Sequence, residues 1–507
     1  MSDSNLVTEL AGRLTGIAIV SSEISETDIK GQDIESLVAK INAHFETADK
    51  PALLTKEILV KINGEAELQV TPITKVEIIR SPDFRPISKE VKSDYRIRNS
   101  DVQKTVGTVS DFTSYFNDRF RKLREFIHSG QASKLAGMMK SVDSIKQYAN
   151  GKEVTIIGMV YEKVVTKNGH MLVTMEDETG TVKVLFPKPA RPDDRGADNF
   201  TNSTKIINDE VIAVKGKIAG ADFVIATELA YPDIPVRNRK ATEDEIAIGF
   251  MSDVHVGSKL FMSKQFDRFL EWINGNIDYR RDIAERVKYI TVSGDLVDGI
   301  GVYPNQEKEL AIDDIYKQYK EMFELFSKVP EYVEVFLITG NHDAVQRAEP
   351  QPLLPQEFYK DFKLGNIHLV TNPGYVTLHG LKVLGYHGTS LDSVIQGIPG
   401  CSYTKPEGAM LETLRRRHLS PIYGDNPIVP SKNDPMVIDQ VPDILHMGHL
   451  HKNGYADHHG TLIVNSGTWQ GRTGFQVRMG HIPTPAILPV YETKTMQLQA
   501  VDFNVQI

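Results

Sequence analysis

Five short clusters of Asp, Asn and His could do chemistry in this chain. They are Ser252-Asp253-Val254-His255, Ser293-Gly294-Asp295-Leu296-Val297-Asp298, Thr339-Gly340-Asn341-His342-Asp343, His387-Gly388 and Gly448-His449-Leu450-His451. A mixture of Asp, His and Asn suits Mn²⁺, Fe or Zn²⁺ better than Ca²⁺ or Mg²⁺, which favour all-oxygen shells. Two such cations about 3.5–4 Å apart can clamp the attacking and leaving oxygens of a phosphoester displacement. At least one group must then bridge them. In Asp-x-His and His-x-His, alternate side chains of an extended segment point the same way, so both can reach one site.

Each cluster ends an apolar run: residues 245–250, 289–292, 333–338, 382–386 and 444–445. Such runs read as buried strands, and in layered α/β folds ligands gather where strands end. Clusters spread from residue 252 to residue 451 can therefore converge. A single Gly-Asn-His-Asp is no more than a turn; all five in order, each at a strand end, make a site. Histidine follows the same division, with twelve of fifteen beyond residue 250. His368, His379, His458, His459 and His481 stand outside the clusters and are expected to be surface or structural.

The composition bounds the reading. At about 100–200 residues per domain, 507 residues make three or four domains. Forty per cent apolar and 25% charged residues is ordinary for a globular chain. No apolar run approaches the roughly 18 residues of a membrane span, and the first residues lack the basic and apolar regions of a secretory signal. One cysteine, Cys401, permits neither an intramolecular disulfide nor a cysteine zinc cluster. A reducing cytoplasm is the expected location. A net charge of −9 argues against coating nucleic acid by bulk positive charge, while local basic patches stay open.

Ahead of the clusters, residues 1–62 read as a small helical module for protein contact or tethering. Residues 36–45 repeat apolar positions at 3–4 spacing, and residues 53–62 predict a further helix. Residues 63–110, with Ser81-Pro82 and Arg85-Pro86, read as a linker with one strand near residues 75–79. Residues 111–150 return to helix, with Tyr115, Phe116, Phe120 and Leu123 on one face. Arg119, Arg121, Lys122 and Arg124 fall mostly elsewhere, as a solvated basic face or as phosphate contacts. Residues 151–237 change period to five short strands. Gly158-Met159-Val160, the turn Glu178-Thr179-Gly180 and Val214-Lys215-Gly216 resemble an OB-fold barrel, used on single strands or to join subunits.

The clusters themselves resemble the calcineurin-like metallophosphoesterases, which carry Asp-x-His, Gly-Asp-x-x-Asp, Gly-Asn-His-Asp/Glu, a lone His and Gly-His-x-His in this order. The resemblance implies an α/β-sandwich over residues 243–507, following the barrel in an α+β multidomain chain. It implies that Asp253, His255 and His451 hold a first metal, that Asn341, His387 and His449 hold a second, and that Asp295 bridges. It places His342 near the leaving oxygen, oriented by Asp298. Protein phosphatases of this superfamily carry Arg-Gly after the Gly-Asp-x-x-Asp motif, where this chain has Gly299-Ile300-Gly301, so that substrate class is disfavoured.

Within the superfamily, residues 111–507 are similar to the small subunit of the archaeal D-family DNA polymerase. Arg415-Arg416-Arg417-His418, Pro421-Ile422-Tyr423-Gly424, Val441-Pro442-Asp443-Ile444-Leu445-His446 and Asn465-Ser466-Gly467-Thr468-Trp469-Gln470 carry the similarity. It implies a 3′–5′ exonuclease using two divalent ions, Mn²⁺ or Mg²⁺, on single-stranded or mispaired 3′ ends. It also implies a large polymerising partner, a nucleoid setting and a sliding clamp as a further partner, although the C-terminal residues 501–507 make no persuasive clamp-binding peptide. Alternatives are a non-catalytic scaffolding B-subunit, a stand-alone double-strand-break repair nuclease and a phosphatase of small phosphoesters. Arg347, Arg415 and Arg416 are the expected DNA contacts; the arginine run could equally pair with acids. Trp469 and Phe475 are expected in a core or interface, with base stacking the alternative.

Overall fold

The computed structural model describes residues 10, 13, 14, 18–20, 33–44, 52–54, 84–130, 139–191 and 196–505. The chain divides into two compact units, Met1–Val76 and Glu77–Ile507. In the first, β1 (Ala18–Val20), α1 (Ile34–His44) and β2 (Ala52–Leu54) follow one another, and β2 pairs parallel to β1. Leu37 and Ile41, four apart, form the buried face of α1. β2 stands where a further helix was expected to begin. Its apolar triplet directly follows Pro51, and pairing with β1 decides its conformation where three residues are too few to show a period. The remainder of that expected helix, and the expected strand near residues 75–79, lie outside the described residues.

In the second unit a single helical turn at Ile87–Glu90 precedes β3 (Tyr95–Asn99) and α2 (Val109–Ser129). Thr108 caps α2: its hydroxyl accepts from the Asp111 N–H while the Asp111 carboxylate accepts from the Thr108 N–H. Helix was expected to continue toward residue 148. It stops instead at Gly130, and β4 (Met139–Lys140) and a 3₁₀ turn at Asp143–Gln147 follow. β5 (Glu153–Val165), β6 (Met171–Asp177), β7 (Gly180–Phe186), β8 (Val211–Gly220) and β9 (Phe223–Ala230) come next, with α3 (Ala197–Thr204) between β7 and β8. They join in the order β5-β6-β7-β9-β8, and β8 pairs back onto β5, closing a five-stranded barrel. Val173, Met175, Val182 and Val184 fill it, alternating with outward residues on β6 and β7.

Eleven further strands make two six-stranded sheets together with β3. They are β10 (Ala247–Met251), β11 (Val287–Ser293), β12 (Glu334–Ile338), β13 (Ile367–Val370), β14 (Gly374–Leu378), β15 (Leu381–Gly385), β16 (Ile444–Met447), β17 (Gly454–His458), β18 (Thr461–Asn465), β19 (Ile487–Glu492) and β20 (Gln497–Asp502). One sheet runs β13-β12-β11-β10-β19-β20, parallel from β13 to β10. The other runs β17-β18-β16-β15-β14-β3, parallel across β18, β16 and β15. Their inner faces share one core, in which Phe250, Tyr289 and Phe336 meet Val376, Val383 and Ile444. The first sheet's outer face is covered by α4 (Ser263–Ile273) and α5 (Ile315–Phe326) through Phe266, Phe269, Tyr319 and Phe323. The second is covered by α6 (Leu391–Gly397) and α7 (Pro406–Arg416) through Val394, Met410 and Leu414. The result is four layers, helix–sheet–sheet–helix. Inner strands buried on both faces, such as β11 and β18, are apolar throughout most of their length.

β3 lies inside the stretch expected to be a linker, yet it is the edge strand beside β14, with Ile97 opposite Val376. Its Tyr-Arg-Ile-Arg-Asn alternation is too short and too basic to stand out, and an edge strand needs a partner on one side only.

Candidate metal centre

The clusters stand on adjacent strand ends: Asp253 after β10, Asp295 after β11, Asn341 after β12, His387 after β15 and His449 after β16. Turning a side chain inward immediately past a strand end strains the backbone. Asp253, His255, Asp295, His449 and His451 all have φ between 51° and 68°, uncommon for non-glycine residues and concentrated at functional sites. Two neighbouring glycines are required by space. A Cβ at Gly340 would lie 2.2 Å from Asp295 Oδ1, and one at Gly448 2.5 Å from Asp253 Oδ2.

The structure brings six of the seven expected metal ligands together at their ligand atoms. His255 Nε2 and His451 Nε2 are 3.1 Å apart, and Asp253 Oδ1 is 3.3 Å from His451 Nε2. Asn341 Oδ1 is 2.9 Å from His387 Nε2. Asp295 Oδ2 lies between the two sets, 3.3 Å from His387 Nε2 and 3.8 Å from His255 Nε2. The seventh, His449, is adjacent: its ring centroid is 5.2 Å from that of His387, and its N–H donates to Asp253 Oδ2. Its Nε2 faces Asp392 Oδ2 at 2.9 Å.

These residues fit the donor set of a metal centre. Asp253 and Asp295 are buried, and Asp253 Oδ1 has no hydrogen-bond donor. A buried carboxylate oxygen without a donor is costly unless a cation or proton compensates it. Burial opposes ionisation of Asp295, yet the His387 and His342 imidazoles hold its carboxyl well below the usual carboxylate range. Burial opposes the charged form of His387 too, and Asp295 nonetheless raises its pKa to about 10. The pocket thus favours positive charge. Asp253-His255-His451 and Asp253-Asp295-His387 each place three ligand atoms within 4.8 Å of one another. A further such group, Asp233-His458-His459, lies elsewhere.

Around these residues stands a shell that the motifs did not reveal. Gln476 Nε2 faces His451 Nδ1 at 2.8 Å, and Gln470 Nε2 donates to Asp298 Oδ1. Asn372 Oδ1 accepts the His387 N–H. Gln470 belongs to the Asn465–Gln470 block already singled out, but Gln476, Asn372 and Asp392 are isolated polar residues with no spacing signal.

Asp298 meets His342 through its main chain rather than its carboxylate. Its carboxylate turns to His255 Nδ1, 3.1 Å away, and it is the main-chain carbonyl of Asp298 that lies 2.7 Å from His342 Nδ1. A carbonyl can only accept, so His342 carries its proton on Nδ1 and leaves Nε2 with a lone pair. Burial pushes the His342 imidazole down, against the nearby Asp295 charge. Its Nε2 is 3.9 Å from Asp295 Oδ2 and its ring is partly open to solvent.

The arginines expected on DNA divide. Arg347 is exposed beside the site, donating to the Val302 carbonyl. Arg416 cannot reach a substrate: it is 1% exposed, pairing with Glu412 and, at 2.5 Å, with Glu210. Arg415 is half-buried against Glu412 and the Tyr231 ring. Arg415 and Arg416 therefore pair with acids of their own chain, while Arg417 donates to the Ile438 and Asp439 carbonyls. Trp469 packs among Phe266 and Phe269 in the core, while Phe475 is exposed.

Residues 248–455, which carry the strand-end cluster, match the family model for the B-subunit of DNA polymerases alpha and epsilon, so this stretch is similar to polymerase B-subunits. The chain is 38% identical over 426 residues to the DNA polymerase II small subunit of Methanocaldococcus jannaschii, covering 82% of this chain and 70% of the relative. For its counterpart from Methanothermobacter thermautotrophicus the identity is 36%, covering 92% and 97%, and for that from Archaeoglobus fulgidus 39%, covering 76% and 75%. The chain belongs to the family of archaeal DNA polymerase II small subunits. Among the described residues, no helix is long and apolar enough to cross a membrane.

Proposed function

We propose that this chain is a metal-dependent 3′–5′ exonuclease that removes mispaired nucleotides from primer ends as the small subunit of a D-family polymerase. The barrel then corresponds to an OB-fold and the four-layer body to a calcineurin-like phosphoesterase, with boundaries near 151–237 and 243–507. A large polymerising subunit supplies most of the DNA affinity, which reconciles the role with a net charge of −9. The observation that carries the reading is Asp295 Oδ2, set between His387 and His255 of two separate ligand groups as a bridging carboxylate would be.

Asp253, His255 and His451 would hold one divalent cation and Asn341, His387 and His449 the other, with Asp295 shared and Mn²⁺ the best match to the donors. Because Asp392 occupies His449 Nε2, Nδ1 is the atom His449 offers. When bound, the cations supply Lewis-acid activation and neutralise charge developing on the phosphate. Asp298 and Gln476 fix the rings of His255 and His451 from behind, as outer partners of ligand imidazoles do. In the reaction a water oxygen bonds to phosphorus, the bond to the 3′-oxygen breaks, and a proton ends on that 3′-oxygen. His342 Nε2, bare and partly accessible, is placed to hold that proton in transit. Arg347 is positioned at the mouth for a substrate phosphate.

The test is digestion of end-labelled primers with mispaired 3′ ends by the chain assembled with its large partner. Asp295→Ala removes a ligand from both cations and is expected to lower the rate beyond the roughly 10–100-fold typical of losing an outer partner. Wild-type protein that binds no divalent ion, or an Asp295→Ala variant that digests at the native rate, would overturn the reading.

A further inference from the structure

The segment at residues 473–482 carries an apolar face with no partner among the described residues. Phe475, Val477, Met479 and Ile482 are 56–61% exposed, on and just after the short helix α8 (Gly474–Arg478). The segment is nevertheless fixed at both ends. At its start Thr473 and Gln476 cap each other reciprocally, and Gln476 is buried with its amide on His451 Nδ1. At its end His481 stacks on Tyr403, ring centroids 4.3 Å apart. The Asp392 carboxylate, which faces His449 Nε2, lies close to both Tyr403 and His481. His451, through Gln476, therefore anchors this lip at the rim of the candidate metal centre, and the partner of His449 lies beside its far end.

We propose that this lip grips an unpaired 3′-terminal nucleotide, with Phe475 stacking on its base and the exposed Arg472 and Arg478 facing the strand's phosphates. The inference deepens the exonuclease reading and rests on it. Stacking is tolerant of sequence because every base has a π-face, which suits a site that must accept any misincorporated base. A paired terminal base already stacks within its duplex and offers no free face, so the lip selects frayed ends. A protein partner is the weaker occupant. Four side chains are a small patch beside the roughly 800 Å² that each partner buries in a stable interface. Docking a protein also gives no reason to tie the patch to an imidazole of the metal centre, whereas holding a base at a fixed distance from the scissile phosphate does.

The experiment uses the full chain with Mn²⁺ and oligonucleotides carrying 2-aminopurine as the 3′-terminal base, joined by a phosphorothioate that resists cleavage. Fluorescence reports stacking and titration gives Kd. Single-stranded and mispaired ends should be quenched on binding and a paired end should not. Phe475→Ala should lose the quenching and weaken binding of the unpaired end about tenfold or more, the range found for removing one base-stacking ring. Phe475→Trp should restore both. As the ring is more than half exposed, its removal costs little packing, and an unchanged thermal midpoint checks that. Equal quenching and Kd in wild type and Phe475→Ala would overturn the proposal. So would Phe475→Ala releasing the large polymerase chain with quenching intact, which would make the patch a protein contact. Wild type that digests labelled 3′ ends without quenching the probe sinks the stacking inference alone; wild type that does neither sinks the nuclease reading with it.

Discussion

At residue 448 the space beside the backbone is already taken. A methyl group there would sit 2.5 Å from Asp253 Oδ2 and 2.5 Å from the Ser252 hydroxyl, both on buried residues. Something must shift, and the Asp253 carboxylate is the group whose position matters. Gly448→Ala is therefore expected to fold and to lose bound metal. Metal analysis after dialysis against Mn²⁺ should show affinity reduced about 10–100-fold, the range for disturbing an outer partner of a metal ligand. Retention of the wild-type metal content would show that Asp253 does not hold the cation. Much at this scale could be read from the chain alone. Asp253, Asp295, Asn341 and His387 announce themselves because each follows an apolar run, and the last three have glycine beside them. The carboxylate of Asp298 could not be assigned in the same way. The resemblance set it only toward His342, and it is the turn geometry that sends the carboxylate to His255 and the main-chain carbonyl to His342.

At the scale of elements, α2 illustrates how a basic face can mislead. Arg119 looked solvated or phosphate-bound, but it is 1% exposed and pairs at 2.7 Å with Asp434, 315 residues away. Asp434 also meets His418 Nε2 at 2.8 Å, while His418 Nδ1 accepts the Ser420 N–H. Both ring nitrogens of His418 are thus satisfied in the neutral form, and a second proton would break the bond to Ser420. Burial, with the Arg119 charge next, pushes the His418 pKa down to about 4. An unfolded chain takes up this proton near the ordinary value of 6.5, so from about pH 6.5 down to about pH 4 the unfolded state binds it first and stability falls as pH falls. Between pH 7 and pH 5 this group should cost roughly 2 kcal/mol. Urea midpoints at the two pH values should therefore separate less in His418→Gln, whose amide can still donate to Asp434 but does not titrate. The same separation in both proteins would rule out His418 as the source. No local pattern could expose this pairing: periodicity finds the apolar face of α2, but a partner about three hundred residues away leaves no mark on spacing. β3 was hidden for a related reason, since its register is set by β14 and not by its own residues.

For the molecule as a whole, the question is what couples the barrel to the four-layer body within Glu77–Ile507. Alternation of strands and apolar runs indicated both parts from the chain, but not the contact between them, which joins apolar residues such as Val437 and Met159 to a buried charged cluster that no local pattern marks. Arg416 on α7 reaches Glu210, just ahead of barrel strand β8, and Glu412 on its own helix; it also donates to the Lys205 carbonyl beyond α3. Its guanidinium lies over the Tyr231 ring at 5.1 Å. Glu210 and Glu412 are buried, so removing the cation leaves two carboxylates without their shared partner. Breaking a buried pair from one side typically costs about 3–5 kcal/mol. Arg416→Met should therefore lower the thermal midpoint and, in calorimetry, separate the melting of barrel and body further than in wild type. Adding Glu210→Gln and Glu412→Gln to Arg416→Met should recover part of the loss, since the penalty lies in the stranded charges rather than in lost volume. If Arg416 were instead a DNA contact, Arg416→Met would melt like wild type and bind primer ends more weakly, and the added glutamines would change neither.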